Sequence, residues 1–156
     1  MVKTNEVIAQ SKNAFAQWGK QWREQAAHHR ETMPRKISQD LVKFRYSGVG
    51  KTVVCVANGW SLERNIDKLK DMQDLVDIIV CDKALGHLLD NGIKPTYCFV
   101  CDANVSYEKY LEPWKDQLKD IVLFQNVTGN PKWSKCDWKD VYFYVNRDCL
   151  KSHTKQ

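Results

Sequence analysis

Five apolar runs of strand length, none with a regular alternation of polar residues, constrain the fold of this chain most strongly. Strands that are apolar along their whole length are buried on both faces, which is typical of parallel sheets. The predicted strands are Thr52–Ala57, Asp77–Cys81, Cys98–Cys101, Ile121–Phe124 and Val141–Val145. Helical spacing of apolar residues lies between them, at Leu62–Met72, Ala84–Leu89 and Tyr107–Leu118. The pattern predicts an α/β fold: a Rossmann-like, mostly parallel sheet with helices on both faces.

The first 30 residues have a different pattern. Residues 4–31 contain no proline, and their apolar side chains recur at helical spacing: Ile8, Phe15, Trp18, Trp22 and Ala26. This predicts a long amphipathic helix that ends at Met33–Pro34, with His28 and His29 at a solvated helix end. We therefore predict an α-helical N-terminal appendage over 1–47 and a Rossmann-like domain over 48–156. The two tryptophans predict a surface for a homo-oligomer or a protein partner.

Charge and hydropathy exclude several classes of protein. The net charge is +5 and is spread along the chain, which suits an anionic small ligand such as a nucleotide but predicts no specific nucleic-acid binding. No apolar run reaches the roughly 18–20 residues of a membrane span. The first residues also lack the apolar stretch of a secretory signal. We expect a cytoplasmic protein, of a bacterial cell or a phage-infected host.

The six cysteines are expected to be reduced thiols, because a cytoplasmic chain keeps its cysteines reduced. Cys98 and Cys101 form a C-x-x-C motif inside a predicted strand, where residues three apart point to opposite faces. No second C-x-x-C motif follows. The pattern therefore predicts buried structural cysteines, and no zinc or redox centre.

Polar residues follow every predicted strand. They are Asn58, Asp82, Asp102, Gln125–Asn126 and Asn146. In open parallel sheets, ligands bind beyond the carboxyl ends of the strands, near the point where the strand order switches. Convergence of five such residues on one edge of the sheet predicts a ligand site there.

The turn Asn58–Gly59–Trp60–Ser61 joins a predicted strand to a predicted helix. Gly59 lets backbone amides approach a ligand, and the helix N-terminus behind the turn attracts anions. Ser61 is predicted to be the N-cap of that helix. The turn is neither a G-x-G-x-x-G fingerprint nor a P-loop.

Two carboxylates, Asp82 and Asp102, end neighbouring predicted strands and are the candidate catalytic residues. They can hold a hydrated Mg²⁺ beside a polyphosphate. Either one can instead bind a ribose hydroxyl or act as a base, and the sequence leaves these roles open. Lys83, next to Asp82, can neutralise phosphate.

Four segments together resemble the MptE-like family. They are Val56–Ile66, Cys81–Leu85, Asn91–Tyr97 and Val100–Asp102. The family is named for an archaeal 6-hydroxymethyl-7,8-dihydropterin pyrophosphokinase and includes the motility-associated (Maf) flagellin glycosyltransferases. The first segment is also similar to the opening of bacterial CMP-sialic acid sialyltransferases.

The chain departs from the family pattern in four ways. Trp60 replaces a proline, Thr96 replaces an aspartate, and Asp102–Ala103–Asn104 has one carboxylate fewer than the family's D-x-D-G. The chain also ends before the glycine-rich turn and further strand that the family carries, so the resemblance is to a C-terminally shortened member.

The resemblance implies a nucleotide-binding transferase that moves diphosphate from Mg·ATP to a small hydroxymethyl acceptor such as a pterin. The implied nucleotide-binding residues are Asn58, Gly59, Ser61, Asp82, Lys83 and Asn126, with Asp82 and Asp102 as the Mg²⁺ ligands. One alternative is a glycosyltransferase that uses a CMP-activated, sialic acid-like sugar and a glycan acceptor. Another is a non-catalytic binding or assembly protein, such as a viral one, that retains the fold.

Overall fold

The computed structural model describes residues 4–33 and 41–145. Its helices are α1 (Thr4–Thr32), α2 (Ser61–Met72), α3 (Asp82–Asp90), α4 (Tyr107–Tyr110) and α5 (Pro131–Ser134). The strands are β1 (Val53–Val56), β2 (Asp77–Cys81), β3 (Tyr97–Val100), β4 (Val122–Asn126) and β5 (Asp140–Tyr144). Short 3₁₀ helices cover Leu41–Phe44, Gln73–Leu75 and Glu112–Gln117. Within the described residues, no helix combines the length and the apolar character that crossing a bilayer requires.

All five predicted strands are present, and each pairs in parallel with its neighbours in the order β1-β2-β3-β4-β5. The prediction of a parallel α/β sheet with helices is confirmed. The expected switch in strand order is absent from the described residues, because each connection adds the next strand on the same side of the previous one. The site at the carboxyl edge therefore has no switch-point crevice between these strands.

The region predicted as one helix over Tyr107–Leu118 is divided in two. The helix α4 ends at Tyr110, and the 3₁₀ helix Glu112–Gln117 follows. Pro113 explains the break, because it has no N–H to donate to the carbonyl of Lys109 and its ring would clash with that carbonyl in a continuous α-helix.

The two faces of the sheet are covered unequally. On one face, Val80, Cys98 and Leu123 lie in one row and are fully buried in the main hydrophobic core, to which α2 and α3 contribute. The other face is aromatic, and its covering includes the 3₁₀ helix Leu41–Phe44. The ring of Phe44 lies 5.1 Å from the ring of Phe124, and many aromatic side chains on this face remain half-buried.

The helix α1 forms as predicted and docks on the carboxyl ends of β3 and β4. Gln25 Nε2 donates to the carbonyl of Ala103 at 3.3 Å. His29 is fully buried, its Nδ1 lies 2.9 Å from the carbonyl of Val127, and its Nε2 lies 3.2 Å from Ser134 Oγ. The predicted solvated end at His29 is therefore wrong, because that histidine anchors the helix to the domain.

The docked side of α1 also affects the predicted partner surface. Trp18 and Trp22 are both half-buried, and they lie two turns and one turn, respectively, before the buried Ala26. Part of the apolar side of α1 is therefore covered by the rest of the same chain.

The prediction of buried cysteines is correct for Cys98 and wrong for Cys55 and Cys101, which are exposed. Cys55 lies in β1, a terminal strand of the sheet, and its side chain is exposed. Cys101 lies just beyond the end of β3. Among the described residues, the cysteine thiols are free.

Candidate functional site

The carboxyl edge of the sheet brings the predicted polar residues together in strand order. Asn58 follows β1, Asp82 follows β2, Asp102 follows β3, and Asn126 is the last residue of β4. Neighbouring strands lie about 4.8 Å apart, so Asp82 and Asp102 follow the carboxyl ends of adjacent strands, with Asp102 two residues beyond the level of Asp82. Asn146 lies outside the described residues.

Asp82 is a buried carboxylate at the start of a helix. It is 9% exposed, and its Oδ1 accepts a hydrogen bond from the Lys83 backbone N–H at 2.7 Å. Burial raises the pKa of Asp82 above its usual 3.8, and the charge of Asp102 raises it further. The Lys83 N–H and ammonium act in the opposite direction. Asp82 therefore carries a charge that its surroundings only partly compensate.

Asp102 is exposed and forms the turn after β3, where its Oδ1 accepts from the Asn104 N–H at 2.8 Å. The charge of Asp102 makes the smallest of the contributions to the pKa of Asp82, which is a weak repulsion between the two carboxylates. Such a like-charge pair is relieved when a cation binds.

The residues present fit a magnesium ion that is shared with a phosphate group. Within the described part of the chain, no group of three or more His, Cys, Asp and Glu side chains forms a metal site. Mg²⁺ commonly uses only one or two carboxylates, retains several waters and takes the remaining ligands from substrate phosphates. Asp82 and Asp102 meet this requirement.

The turn after β1 is open to solvent, and its four residues are exposed. Gly59 N–H donates to the Ala57 carbonyl at 2.9 Å, and the Gly59 carbonyl accepts from Leu62 at 2.9 Å. A Cβ at Gly59 would meet only Ser61 Oγ, at 3.6 Å, so packing within the chain does not require glycine here. The missing Cβ leaves free space in front of the N-terminus of α2.

Ser61 does not cap α2 as predicted. The N-cap is Trp60, which makes no side-chain capping bond, and Ser61 is the first helical residue. Trp60 has helical backbone angles, φ −58° and ψ −22°, so the helix winds tightly at its start and the cap falls one residue earlier. The Ser61 hydroxyl is left beside Gly59.

Three pairs near the edge were missed by the sequence analysis. The Arg64 guanidinium stacks 3.7 Å from the centre of the Trp60 ring, which is 70% exposed. The spacing of four residues on a helix is the signal that predicts such a contact. Lys83 is exposed, and its ammonium lies 5.9 Å from the ring of Tyr110.

The third missed pair is Cys101 and Tyr144, whose Sγ and Oη atoms lie 2.7 Å apart. The Tyr144 hydroxyl also donates to the Val100 carbonyl at 3.1 Å. Burial, with the contact to Cys101, raises the pKa of Tyr144, so its phenol is neutral. No sequence signal links residues 43 positions apart, because strand pairing alone brings them together.

Asn126 differs from the other predicted residues because it is buried, at 4% exposure. Its Oδ1 accepts from the N–H and the hydroxyl of Thr128, at 3.2 and 3.1 Å. The helix α1 contacts the next residue, Val127. The structure thus groups Asn58, Asp82 and Asp102 on an open half of the edge and places Asn126 beneath α1.

Comparisons with known proteins agree with this architecture. A family model described as 6-hydroxymethylpterin diphosphokinase MptE-like matches residues 24–155. The solved structure of a Maf glycosyltransferase from Magnetospirillum magneticum AMB-1 is similar, with a TM-score of 0.54 and 25% sequence identity. The match covers 62% of this chain and 16% of that chain. No curated protein matches the chain significantly.

Proposed function

Because this chain belongs to the MptE-like family, we propose that its transferase-like domain moves diphosphate from Mg·ATP to a small hydroxymethyl acceptor such as a pterin. The observation that supports this proposal best is the pair Asp82 and Asp102. They end adjacent strands, repel each other and lie on the same edge as the open Gly59 turn.

In this reaction the acceptor hydroxyl attacks the β-phosphorus, and AMP leaves. The chain contributes mainly position and charge compensation. The turn at Asn58–Ser61 offers backbone N–H groups to the phosphates, and the Lys83 ammonium offsets their negative charge. Asp82 and Asp102 would hold Mg²⁺, which supplies neutralisation of the polyphosphate when bound.

Glycosyl transfer from a CMP-activated, sialic acid-like sugar is the second candidate. The similarity to a Maf glycosyltransferase favours it. Asn58 and Ser61 would then hold the CMP moiety, since both are exposed beside the N-terminus of α2. This reaction does not require the carboxylate pair to bind a metal.

Thermal unfolding of the purified chain with ATP, CTP or CMP, each with and without Mg²⁺, tests the proposal. At a ligand concentration about a hundredfold above its Kd, binding adds roughly 2.7 kcal/mol to the free energy of unfolding. We expect Mg·ATP to stabilise the chain and Asp102→Asn to abolish the effect. Asp120→Asn is the matched control. Asp120 is an exposed carboxylate that precedes β4, so it lies at the amino edge of the sheet, opposite the carboxyl edge that carries the site.

The other outcomes separate the candidates. Stabilisation by CMP with or without metal would favour glycosyl transfer over diphosphate transfer. If no nucleotide changes the unfolding midpoint, both nucleotide-dependent reactions are wrong and a non-catalytic binding or assembly function replaces them.

A further inference from the structure

Trp60 is the exposed tryptophan of the carboxyl edge. Its side chain is 70% exposed, whereas the other tryptophans of the chain are half-buried or buried. The hydrophobic core of the described residues does not include it. An indole is a large apolar group whose burial favours folding, so leaving it in water forgoes that stabilisation. Packing within the described chain therefore does not account for a tryptophan at this position.

One face of the indole is already occupied. The Arg64 guanidinium carbon lies 3.7 Å from the centre of the Trp60 ring, which is van der Waals distance, so the guanidinium covers that face. Since the side chain is nevertheless 70% exposed, the opposite face of the ring is open to solvent. The contact with Arg64 restricts the rotation of the indole and therefore holds this open face in place beside the Gly59 turn.

Positive charge surrounds the ring. The N-cap of α2 makes no side-chain capping bond, and the N–H groups of a helix's first turn attract an anion. Arg64 adds a full charge close to this end of the helix, where the helix dipole disfavours a cation. Glu63 is the acidic residue of the same turn, and it forms no ion pair with Arg64 among the described residues. An anion bound here would gain from both the helix and the guanidinium.

We infer that Trp60 stacks the base of the bound nucleotide on its open face, while Arg64 and the N-terminus of α2 attract the phosphate nearest that base. The inference rests on the proposed nucleotide binding at this edge and applies to both candidate reactions. A nucleotide fits better than the acceptor, because it joins a planar ring to a negative charge. A hydroxymethylpterin has the planar ring without the phosphate.

This assignment gives the nucleotide a direction along the edge. Trp60 follows β1, at the end of the strand order, and Asp82 follows β2, the next strand. The base therefore lies outermost, and the phosphates extend from the Gly59 turn towards Asp82. The β3 side of the edge is then left for the acceptor. In diphosphate transfer the acceptor hydroxyl attacks the β-phosphorus from the side opposite the departing AMP, which agrees with this order.

Calorimetric titration with nucleotides and their base-free counterparts tests the inference. Trp60→Ala should weaken the binding of Mg·ATP by about tenfold or more and leave the affinity for Mg·tripolyphosphate unchanged, because only ATP has a base to stack. Trp60→Phe should retain most of the affinity for Mg·ATP. The same comparison is made with CMP and ribose 5-phosphate.

Tyr46→Ala is the matched control. Tyr46 is an aromatic residue that is 74% exposed, and the guanidinium of Arg45 lies 5.3 Å from its ring. It precedes β1, whereas Trp60 follows that strand. Its loss should leave the affinity for every ligand unchanged. Because Trp60 is exposed, Trp60→Ala should also unfold at the same temperature as the parent chain, which excludes misfolding as the cause.

The outcomes separate this inference from the proposed function. A parent chain that binds Mg·ATP as tightly as Trp60→Ala does would overturn base stacking and leave the proposed function standing. Equal weakening of Mg·ATP and Mg·tripolyphosphate would show that Trp60 only shapes the turn, which also overturns base stacking. Binding of CMP without Mg·ATP would overturn diphosphate transfer, and CMP against ribose 5-phosphate then decides on the stacking. A parent chain that binds no nucleotide would overturn both.

Tryptophan fluorescence adds a measurement that reports on the contact itself. A base stacked on the exposed indole should quench the fluorescence of the parent chain and of Tyr46→Ala when Mg·ATP is added. Trp60→Phe should bind Mg·ATP without this quenching. Quenching that persists at the same amplitude in Trp60→Phe would come from another tryptophan and would overturn the inference.

Discussion

The two halves of the carboxyl edge carry the same kinds of residue and use them differently. At the β4–β5 end, Asn126 is buried, its oxygen is bonded to Thr128, and α1 lies over the adjoining backbone. At the β1–β3 end, Asn58 and Asp102 are exposed and Asp82 keeps an incompletely compensated charge. A polar residue after a strand therefore makes hydrogen bonds within the fold where a helix covers it, and is available to a ligand where the edge is open.

The two halves also respond oppositely to pH, although burial is the main cause in both. Burial lowers the pKa of His29 below 6.5 and raises that of Asp82 above 3.8, because it disfavours the charged form of each. The stability that His29 contributes is present above pH 6.5 and is lost as the pH falls through its folded pKa. The contribution of Asp82 is present below pH 3.8 and is lost as the pH rises through its folded pKa.

The largest effect on stability is expected at His29, in the β4–β5 half of the edge that α1 covers. His29→Ala removes two polar contacts and leaves a cavity against Phe143, so we expect a loss of about 2–4 kcal/mol in the free energy of unfolding. Urea unfolding followed by circular dichroism measures it. His28→Ala is the control: His28 is half-buried and its Nε2 has no partner, so its loss should cost under about 1 kcal/mol. Equal losses in the two variants would show that His29 does not anchor α1.

A smaller effect on stability is expected at Asp82, in the open β1–β3 half of the edge. Asp82→Asn keeps an acceptor for the Lys83 N–H and removes the buried charge, so we expect a more stable chain at pH 7 that no longer binds Mg·ATP. The difference from the parent chain should vanish near pH 3.5, where Asp82 is already protonated. Thermal unfolding across this pH range measures it. A difference that does not change with pH would contradict the assigned cause.

The smallest effect on stability is expected at the turn. Gly59→Ala should change the free energy of unfolding by under about 0.5 kcal/mol, because its Cβ meets only Ser61 Oγ, and yet weaken nucleotide binding by filling the space before α2. In Gly86→Ala the added Cβ would lie 2.5 Å from the Trp114 ring, which should cost about 1–3 kcal/mol. Calorimetric titration with Mg·ATP measures the weaker nucleotide binding expected of Gly59→Ala. Unchanged affinity in Gly59→Ala would remove the turn from the site.

Local patterns predicted the elements of the open half well. The five strands, α1 and α2 follow from apolar spacing, and the parallel sheet then brings Asp82 and Asp102 to one edge. Features that depend on distant contacts were missed or mispredicted. The burial of His29 depends on a backbone carbonyl 98 positions away, and the Cys101–Tyr144 contact depends on strand pairing across 43 positions. The cap at Trp60 was missed because serine is the commoner N-cap residue.

By itself, the sequence determined the elements, their direction and therefore the edge on which the polar residues gather, because a period of two or of 3.6 residues is a local property of the chain. Only the tertiary structure decided which half of that edge α1 covers and which strand remains open. Those outcomes depend on how a docked helix satisfies backbone groups far along the chain. The same packing buries the side chains of β5 and leaves β1 exposed.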